Sequence, residues 1–559
     1  MTSVSIKRIS NLLVLVGPLT TLAISPWTNF DPINLIKMLV VSSIGWSILG
    51  IILNKSFFKD AKFNIVFLVS IFSFILFLTT TLLFSGAPVT QQIWGQFGRS
   101  TGFLAYFSLA FISLGTSIVR DLNFYRKLIL GMFLTVVPVT IYCLIQIAGL
   151  DPIGWSSYAP FGTLGNINFL SAFFGISSVA FLGMIFGKDV TSNWKLSYAL
   201  FIVTDLIIVL TTGSIQGFMI FVAGAGIIGF FFIRVHPKFK FFTIPYGILG
   251  ILGFLVTLLG LSNIGPLAKY IFQPSVIYRT DYWHAGWKMT LDHSLFGVGL
   301  DSYGDWYRQV RGAISTNRTD PNRISNTAHS IFLDISSNGG FPLFIAYLSI
   351  VSVAFVIGIK KIRRLSNYNS YFVALFASWL AYQIQSLISI NQIGVGIWGW
   401  VLTGAIIGYP EDSYQKADRV NVGNKNIKRR KSSTLNPLSG TLALMGFVLG
   451  FILAFIPLNA DAKFKSANNR LDGVALIAAV KSLGSTSFHA ENAMNAFIKS
   501  NLGPQAKEVT DYLLSKYPRD FAGWGARAVL NSSTAEQKAE AIKKLQELDP
   551  FNKALYLNN

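Results

Sequence analysis

Charged residues are scarce in this chain. Only 13% of its 559 residues are Asp, Glu, Lys or Arg, whereas soluble globular proteins carry about 25%. Apolar residues make up 52% of the sequence and aromatic residues 14%. This is the composition of helices that face lipid, because charge is costly in hydrocarbon. It excludes a disordered chain and a fibrous fold, and it indicates an integral membrane protein.

Cysteine is nearly absent, and acidic residues are few. The single cysteine, Cys143, excludes an intramolecular disulfide, and no Cys/His group has the spacing of a zinc site. Lys and Arg number 46 against 25 Asp and Glu, which gives a net charge of +21. These basic residues lie mainly in short stretches between apolar runs, as the orientation signals of membrane proteins do. The positive charge therefore predicts contact with membrane lipid and no nucleic-acid partner.

Long apolar runs are what the sequence does contain. A transmembrane helix needs about 20 mostly apolar residues, and thirteen runs approach this length. The sequence thus predicts an all-α fold, a polytopic membrane helix bundle with about 12–13 transmembrane helices. The runs lie at residues 10–28, 33–53, 63–84, 101–119, 127–149, 165–187, 196–212, 214–233, 241–262, 341–359, 371–391, 394–409 and 437–457.

The distribution of Lys and Arg predicts the orientation of these helices. With the N-terminus in the cytoplasm, the cytoplasmic segments hold 24 Lys and Arg, whereas the short outside connections hold only Arg99. Positive residues collect on the cytoplasmic side of membrane proteins. We therefore expect a cytoplasmic N-terminus and an extracytoplasmic C-terminus.

Two polar segments stand apart from the apolar runs. Residues 263–340 are too long and too polar for a simple connection, and loops of this length are usually functional. We expect a membrane domain at 1–410 that includes this extracytoplasmic loop. A basic cytoplasmic linker at 411–436 and a final transmembrane helix at 437–457 follow. The remaining residues, 458–559, are predicted to form an extracytoplasmic helical domain.

The spacing of residues in this tail resembles a tetratricopeptide helix pair. The stretch runs from Tyr517-Pro518-Arg519-Asp520, through Trp524, to Ala539-Glu540-Ala541 and Leu548-Asp549-Pro550. The stretch resembles the usual 34-residue repeat, and a generic helical bundle would show the same pattern. The repeat-like spacing indicates a surface that binds a protein partner or guides an acceptor.

The loop at 263–340 contains Arg, His and aromatic residues, which are candidates for catalysis and substrate binding. Its first part, Arg279 to Trp287, is predicted to form a helix that displays aromatic side chains. A sharp turn is expected at Gly297-Val298-Gly299. Ala328-His329-Ser330 is expected at the start of a helix that returns to the membrane, and Asn338-Gly339-Gly340 opens the next apolar run.

In this order, the motifs resemble the O-antigen ligase family, the lipid-linked glycan ligases and polymerases of bacterial envelopes. Two further elements match upstream. Gly162 to Leu170, which contains Asn166 and Asn168, resembles the family's Gly and Asn stretch at the head of a helix. Arg99-Ser100-Thr101-Gly102 matches an Arg-x-x-Gly element on the outer side. The resemblance extends over about residues 90–410, and its specificity lies in the order of the motifs.

The resemblance implies a GT-C-like bundle that acts at the outer face of the bacterial cytoplasmic (inner) membrane. Such enzymes move a glycan from a polyprenyl diphosphate carrier to an acceptor hydroxyl, without a metal or another cofactor. Arg279 and Arg99 would hold the diphosphate, since a guanidinium binds phosphate through two donors. His329 would act as the general base, because imidazole titrates near neutral pH. Further substrate contacts are assigned to Asn168, Trp283 and Gln216.

The sequence departs from the family at one position. Relatives commonly carry Ser-Arg-Gly near the middle pair of spans, whereas this chain has Gln216 before Gly217 and no arginine nearby. If that arginine binds donor phosphate, another cation must replace it here, and Arg99 is the expected substitute.

Simpler roles are open for several loop residues. Arg279 could pair with Asp281, and His284 and His293 are interpreted as structural. Four arginines are interpreted as a solvated cluster, of which one could contact an anionic acceptor. They are Arg308, Arg311, Arg318 and Arg323.

Alternative functions are also open. They are a glycan polymerase, whose acceptor is another lipid-linked chain, and a non-enzymatic transporter or assembly protein. A transporter is disfavoured, because the sequence shows no internal repeats with matching broken helices.

Overall fold

The computed structural model describes residues 4–54, 58, 61–155, 159–272, 274–318, 321–410 and 437–556. All regular elements within these residues are helical, and each predicted apolar run coincides over most of its length with one helix of 15 to 34 residues. These thirteen helices are α1 (Val4–Leu22), α2 (Asn34–Ile52), α3 (Ile65–Phe84), α5 (Phe103–Ser117), α6 (Leu122–Ile147), α7 (Ile167–Ile185), α8 (Ser192–Thr211), α9 (Gln216–Val235), α10 (Thr243–Leu261), α15 (Ile331–Arg364), α16 (Ser370–Ile388), α17 (Ile393–Gly408) and α18 (Pro437–Asn469).

Ten of the described helices are long and apolar enough to cross a membrane, and α5 and α17 are shorter apolar helices. The chain is therefore an all-α, polytopic membrane helix bundle, as the sequence predicted. The shorter helices outside the apolar runs are α4 (Val89–Trp94), α11 (Ala268–Ile271), α12 (Pro274–Asp292), α13 (Tyr303–Val310), α14 (Ala313–Asn317), α19 (Gly473–Val480), α20 (Ser487–Lys499), α21 (Gly503–Lys516), α22 (Phe521–Val529) and α23 (Ala535–Leu548). Two 3₁₀ turns lie at Lys240–Phe242 and Lys553–Leu555.

The bundle has inner and outer helices. Most residues of α2, α7 and α16 are buried, and α17 is buried throughout, so these helices form the centre. By contrast, α10 is almost entirely exposed along its apolar length, which is the surface expected of a helix that faces lipid.

Small residues let the last membrane helix approach the second one closely. On α18, Gly446 and Gly450 are four residues apart and face α2. A Cβ atom would lie 2.1 Å from the Trp46 carbonyl oxygen at Gly446, and 2.4 Å from the Ser42 carbonyl oxygen at Gly450. Close backbone packing through such small residues is a common way for membrane helices to associate. It brings the start of the tail next to the N-terminal helices.

Two buried lysines are satisfied by helix ends. Lys37 Nζ donates to three carbonyl oxygens at 2.7–3.0 Å. Those of Thr20 and Thr21 lie in the last turn of α1, and that of Ala23 follows it. Lys361 Nζ donates to three carbonyl oxygens at the end of α17, at 2.6–3.1 Å. The last carbonyls of a helix have no partner within the helix, and each ammonium group supplies one. Both charges therefore have a structural explanation.

A kink divides α15 into a loop part and a membrane part. Gly340 has φ 71° and ψ −175°, which is not helical. The turn at residues 294–299 packs against this kink through three backbone hydrogen bonds of 2.8–3.1 Å, which join Ser294, Val298 and Gly299 to Phe341, Ser337 and Asn338. The predicted sharp turn is confirmed, since Gly297 and Gly299 have φ values of 61° and 105°. The predicted return helix is also confirmed, and it begins at Ile331, two residues after His329.

The tail consists of five short helices that pack in sequence on the end of α18. That helix continues to Asn469, beyond the apolar run, and contributes Phe464 and Ala467 to the first apolar cluster of the tail. A second cluster joins α22 and α23 around Trp524. Consecutive helix pairs are also the arrangement of a tetratricopeptide repeat, and the repeat-like assignment stays a prediction.

The tail also packs against the loop, and this corrects the interpretation of the loop arginines. Arg308 and Arg311 form ion pairs with Asp549 of the tail, at 3.1 Å and 2.6 Å, and the side chains of Arg311 and Asp549 are buried. Arg318 pairs with Asp281 at 2.7 Å, and the Arg323 guanidinium lies 4.0 Å from the centre of the Tyr278 ring. These four arginines are therefore not a single solvated cluster.

Candidate active site

Arg99 lies in the turn between α4 and α5 and contacts the segment that precedes α15. Its Nη2 atom donates to Asn326 Oδ1, in a short hydrogen bond, and to Thr327 Oγ1 at 3.5 Å. Two residues that are 227 and 228 positions away in the sequence thus fix one guanidinium nitrogen. The Nε atom of Arg99 is buried and has no hydrogen-bond partner among the described residues.

His329 is held in an uncommon backbone conformation beside this arginine. Its φ of 53° lies in the left-handed region, which non-glycine residues rarely adopt. The His329 amide donates to Thr327 Oγ1 at 3.2 Å, and the preceding amide, of Ala328, donates to Asp334 Oδ1 at 2.7 Å. The imidazole stacks on the Tyr282 ring with 5.2 Å between centroids. Backbone strain of this kind is concentrated at functional sites.

Arg279 approaches from α12, which also carries Tyr282. No hydrogen bond or ion pair is found for the Arg279 side chain within the described part of the chain. Its expected alternative partner, Asp281, is instead bonded to Arg318. Trp283 follows Arg279 by four residues, so it lies on the same face of α12, and its indole Nε1 is buried without a partner in the described residues.

The charges of these groups influence each other. Burial lowers the pKa of Arg99 and of Arg279 below the usual range of a guanidinium. The pKa of His329 falls to about 3, first because the ring is buried and then because both guanidinium groups repel a second positive charge. His329 is therefore a neutral imidazole at pH 7, beside two cations. The arrangement can accept a proton and can bind an anion.

A small pocket lies beside Arg99 and is lined by both polar and apolar side chains. Asp301 lies in its wall, and Asp301 Oδ2 accepts from the Gln96 amide at 2.8 Å and from Thr101 Oγ1 at 3.2 Å. Burial raises the pKa of Asp301, while Arg99 opposes the rise. The Oδ1 atoms of Asn338 and Asn391 also have no partner among the described residues, so both amides can bond a ligand.

Sequence reasoning missed most of this pocket wall. Asp301, Asp334, Asn338 and Asn391 were not assigned to the site, although two signals were present. Asp301 lies two residues after Gly299 of the predicted turn, and Asp334 lies in the first turn of the helix that His329 precedes.

Asn168 and Gln216 form a second cluster, at the heads of α7 and α9. Ser214 Oγ donates to Asn168 Oδ1 at 2.8 Å, and Ser171 Oγ accepts from the Gly217 amide at 2.8 Å. Both polar atoms of the Gln216 side chain are buried without a hydrogen-bond partner in the residues described. The structure thus brings Arg99, Arg279 and His329 together, and no contact described here joins Asn168 or Gln216 to them.

The histidines that were interpreted as structural lie elsewhere on the loop. His284 is exposed, and the His293 ring contacts Trp306 with 4.4 Å between centroids. Within the described residues, no group of three or more His, Cys, Asp or Glu side chains is placed to hold a metal ion.

Comparison with known proteins supports the resemblance over part of the chain. Residues 200–348 match the family model described as O-antigen ligase. This range contains Gln216, Arg279, Trp283 and His329, and it excludes Arg99 and Asn168. No curated protein matches the chain. Residues 200–348 are therefore similar to the O-antigen ligase family, a family of membrane enzymes of the glycan ligase and polymerase type, and this match covers about a quarter of the chain.

Proposed function

We propose that this protein transfers a glycan from a polyprenyl diphosphate carrier to an acceptor hydroxyl, at the extracytoplasmic face of the bacterial cytoplasmic membrane. One observation carries the proposal. A neutral histidine precedes a helix that enters the membrane and lies near two guanidinium groups, one of which, that of Arg99, lines a pocket. Glycan transfer from a diphosphate needs both a base and fixed cations.

At the anomeric carbon of the donor, one bond forms and one bond breaks. The acceptor oxygen attacks the anomeric carbon of the donor glycan, and the bond between that carbon and the diphosphate oxygen breaks. His329 takes the proton of the acceptor hydroxyl, and polyprenyl diphosphate leaves with the electron pair. Arg279 and Arg99 stabilise the negative charge that develops on the leaving oxygen. Arg279 is the stronger candidate for direct phosphate contact, because its guanidinium has no partner within the described residues.

The pocket beside Arg99 supports the same proposal. Asp301 and the unpaired amide oxygens of Asn338 and Asn391 accept hydrogen bonds, so they are suited to the hydroxyl groups of a sugar. The aromatic side chains of α12, including Trp283, offer apolar faces for a sugar ring. Asn168 and Gln216 would contact a more distant part of the donor, and the unpaired Gln216 amide is consistent with a ligand there.

The proposal is tested with purified protein in lipid nanodiscs and a polyprenyl-diphosphate-linked glycan. His329→Ala should lower the transfer rate by about 10²–10⁴, the usual effect of losing a positioned base. Arg279→Ala should cost about 3–4 kcal/mol of transition-state stabilisation, comparable to losing an oxyanion donor. Product is measured by mass spectrometry of the acceptor and of the released carrier.

Matched substitutions on the same loop serve as controls. His293→Ala and Arg318→Ala remove the same residue types, but these side chains bind Trp306 and Asp281 rather than the site. Both control variants should retain most of the activity. Wild-type rates from His329→Ala at equal protein level would eliminate His329 as the base.

The nature of the product distinguishes a ligase from a polymerase. A ligase joins one glycan to a lipid, protein or wall-polymer acceptor, whereas a polymerase produces a ladder of lipid-linked chains without any added acceptor. A chelator added to the same reaction tests whether transfer requires a metal ion.

A further inference from the structure

We infer that Asp549, in the tail, is a positioning residue for the active site, acting through Arg311 on the loop segment that carries His329. The inference rests on the proposed function, because the reaction that Asp549 would affect is the proposed glycan transfer. It gives the tail a defined role in the site. The Asp549 carboxylate, 238 residues after Arg311 in the sequence, holds part of the loop in place.

Asp549 lies at the end of α23 and is fully buried against the loop. Its two carboxylate oxygens accept hydrogen bonds from Arg311 Nη2, at 2.8 Å and 2.6 Å. Arg308 Nη1 donates to Oδ2 at 3.1 Å. A buried carboxylate with two guanidinium partners is a specific contact, because both charges lose water when the surfaces meet.

Arg311 connects this carboxylate to the backbone of the loop. Its Nη1 atom donates to the Arg323 carbonyl oxygen at 3.0 Å, and its Nη2 atom donates to the Pro321 carbonyl oxygen at 2.7 Å. Arg308 Nη1 adds a bond of 3.2 Å to the Pro321 carbonyl. The planar guanidinium can reach these carbonyls and the carboxylate together, which a single ammonium group cannot do in the same geometry.

The segment that begins at Pro321 leads directly into the site. Asn326 and Thr327 bond Arg99, and Thr327 Oγ1 accepts from the His329 amide. Asp549, Arg311, the backbone at 321–323 and His329 therefore form a continuous series of contacts. The left-handed backbone at His329 depends on this surrounding support, since an isolated chain would rarely adopt it.

A second contact keeps the tail on the loop when Asp549 is changed. The Arg519 guanidinium lies 3.5 Å from the centre of the Trp306 ring, donates to the Asp305 carbonyl oxygen at 3.2 Å and bonds Gln309 Oε1 at 2.6 Å. These contacts hold α13, whereas Asp549 acts on the segment after it. Removing the Asp549 charge is therefore expected to loosen residues 321–329 without detaching the tail.

The experiment uses the full chain in lipid nanodiscs and two measurements. The first is glycan transfer at saturating donor, with kcat and KM determined separately. The second is the rate at which diethyl pyrocarbonate modifies His329, measured by mass spectrometry, with the exposed His284 as an internal reference. Asp549→Asn and Arg311→Lys are compared with Asp549→Glu, which keeps the carboxylate. The control is Asp511→Asn, which removes ion pairs to Lys507 and Arg527 within the tail.

Asp549→Asn and Arg311→Lys should lower kcat on the order of tenfold to a hundredfold, because small displacements of a base have effects of this size. Both should raise the modification rate of His329 relative to His284. Asp549→Glu should recover a substantial part of the activity, and Asp511→Asn should change neither measurement.

Unchanged kcat and unchanged His329 reactivity in Asp549→Asn would overturn the inference. If that variant does not accumulate, the same result from Arg311→Lys overturns it. If the wild-type protein transfers no glycan at all, the proposed function fails, but the modification of His329 still decides the positioning role. In that case, equal His329 reactivity in Asp549→Asn and the wild-type protein rejects the positioning role, and higher reactivity in Asp549→Asn supports it.

Discussion

At the scale of single residues, the free protein holds its proposed base in a weakly basic state. The His329 imidazole is largely buried and lies near Arg99 and Arg279, so its pKa is about 3. A diphosphate bound between the two arginines would bring negative charge to the same place. The pKa of His329 should then rise, because the anions offset the repulsion by the guanidinium groups. Donor binding would thereby prepare the base for proton transfer.

This coupling predicts an uncommon titration of His329 in the absence of donor. An unperturbed histidine becomes protonated near pH 6.5, whereas His329 should stay neutral as the pH falls from 8 to 5, since its pKa is about 3. Arg279→Gln should raise the pKa, because it removes one repelling charge. The modification of His329 by diethyl pyrocarbonate reports the neutral form. Modification that declines with a midpoint near 6.5 in the wild-type protein would contradict the prediction.

The residue scale also shows where prediction from the sequence stops. From the sequence, Arg311 and its neighbours were interpreted as a solvated cluster. The partner of Arg311, Asp549, is 238 residues away, and only the folded tail brings it close. Asn391 was missed for the same reason. Contacts between distant segments leave no local spacing to detect.

At the scale of elements, the position of His329 depends on the kink in α15. At Gly340 a Cβ atom would lie 2.6 Å from the Ser294 carbonyl oxygen, and at Gly297 it would lie 2.3 Å from the Asn338 carbonyl carbon. The loop turn and the kink can approach this closely only because both positions are glycine. The kink therefore aligns the first turns of α15 with the loop, while the rest of the helix follows the membrane bundle.

We predict that Gly340→Ala disrupts both stability and transfer. A residue other than glycine in this backbone conformation costs about 1–3 kcal/mol, and the contact with Ser294 adds to that cost. Gly250→Ala is the matched control, because Gly250 lies in exposed α10 with no atom within 4 Å of an added Cβ. The control should be neutral or slightly stabilising, by up to about 1 kcal/mol. Thermal unfolding in detergent and the transfer assay measure both effects, and a fully active, equally stable Gly340→Ala protein would refute the prediction.

The helices themselves were largely predictable. Each of the thirteen apolar runs coincides over most of its length with one helix, because a chain segment in hydrocarbon must satisfy its backbone groups internally. The ends of two helices were not predictable from hydropathy. α15 begins ten residues before its apolar run at 341, and α18 extends to Asn469, beyond residue 457. These extensions are held by protein contacts with the loop and with the tail, which hydropathy does not report.

At the scale of the whole molecule, the one-sided distribution of Lys and Arg predicts the topology. Residue 300 and the tail should be extracytoplasmic, and Lys428 should be cytoplasmic. Lys428 and the rest of the basic linker at 411–436 lie outside the described residues. Reporter fusions at 300, 428 and 556 should give the outside, inside and outside signals, respectively. A cytoplasmic signal at 300 would contradict both the orientation and the proposed function, since the lipid-linked glycan would then lie on the wrong side.

The grouping of the site residues was anticipated only through the family resemblance. The order of the motifs associated Arg99, Arg279 and His329, and the structure brings these three together. The same resemblance also selected Asn168 and Gln216, which lie in a separate cluster. Composition and periodicity place helices in a membrane, but they do not determine which helix ends are neighbours.

The contact between Asp549 and the loop has a consequence for the order of synthesis. A chain truncated before residue 549 would contain the thirteen helices of the apolar runs and every residue proposed to contact the substrate. It would nevertheless lack the carboxylate that Arg311 requires. If Asp549 positions the site as inferred, insertion into the membrane and the onset of glycan transfer are separate events, and transfer begins only after the tail has folded against the loop. A truncated protein in the membrane could still bind the lipid-linked donor, but we expect it to transfer the glycan slowly.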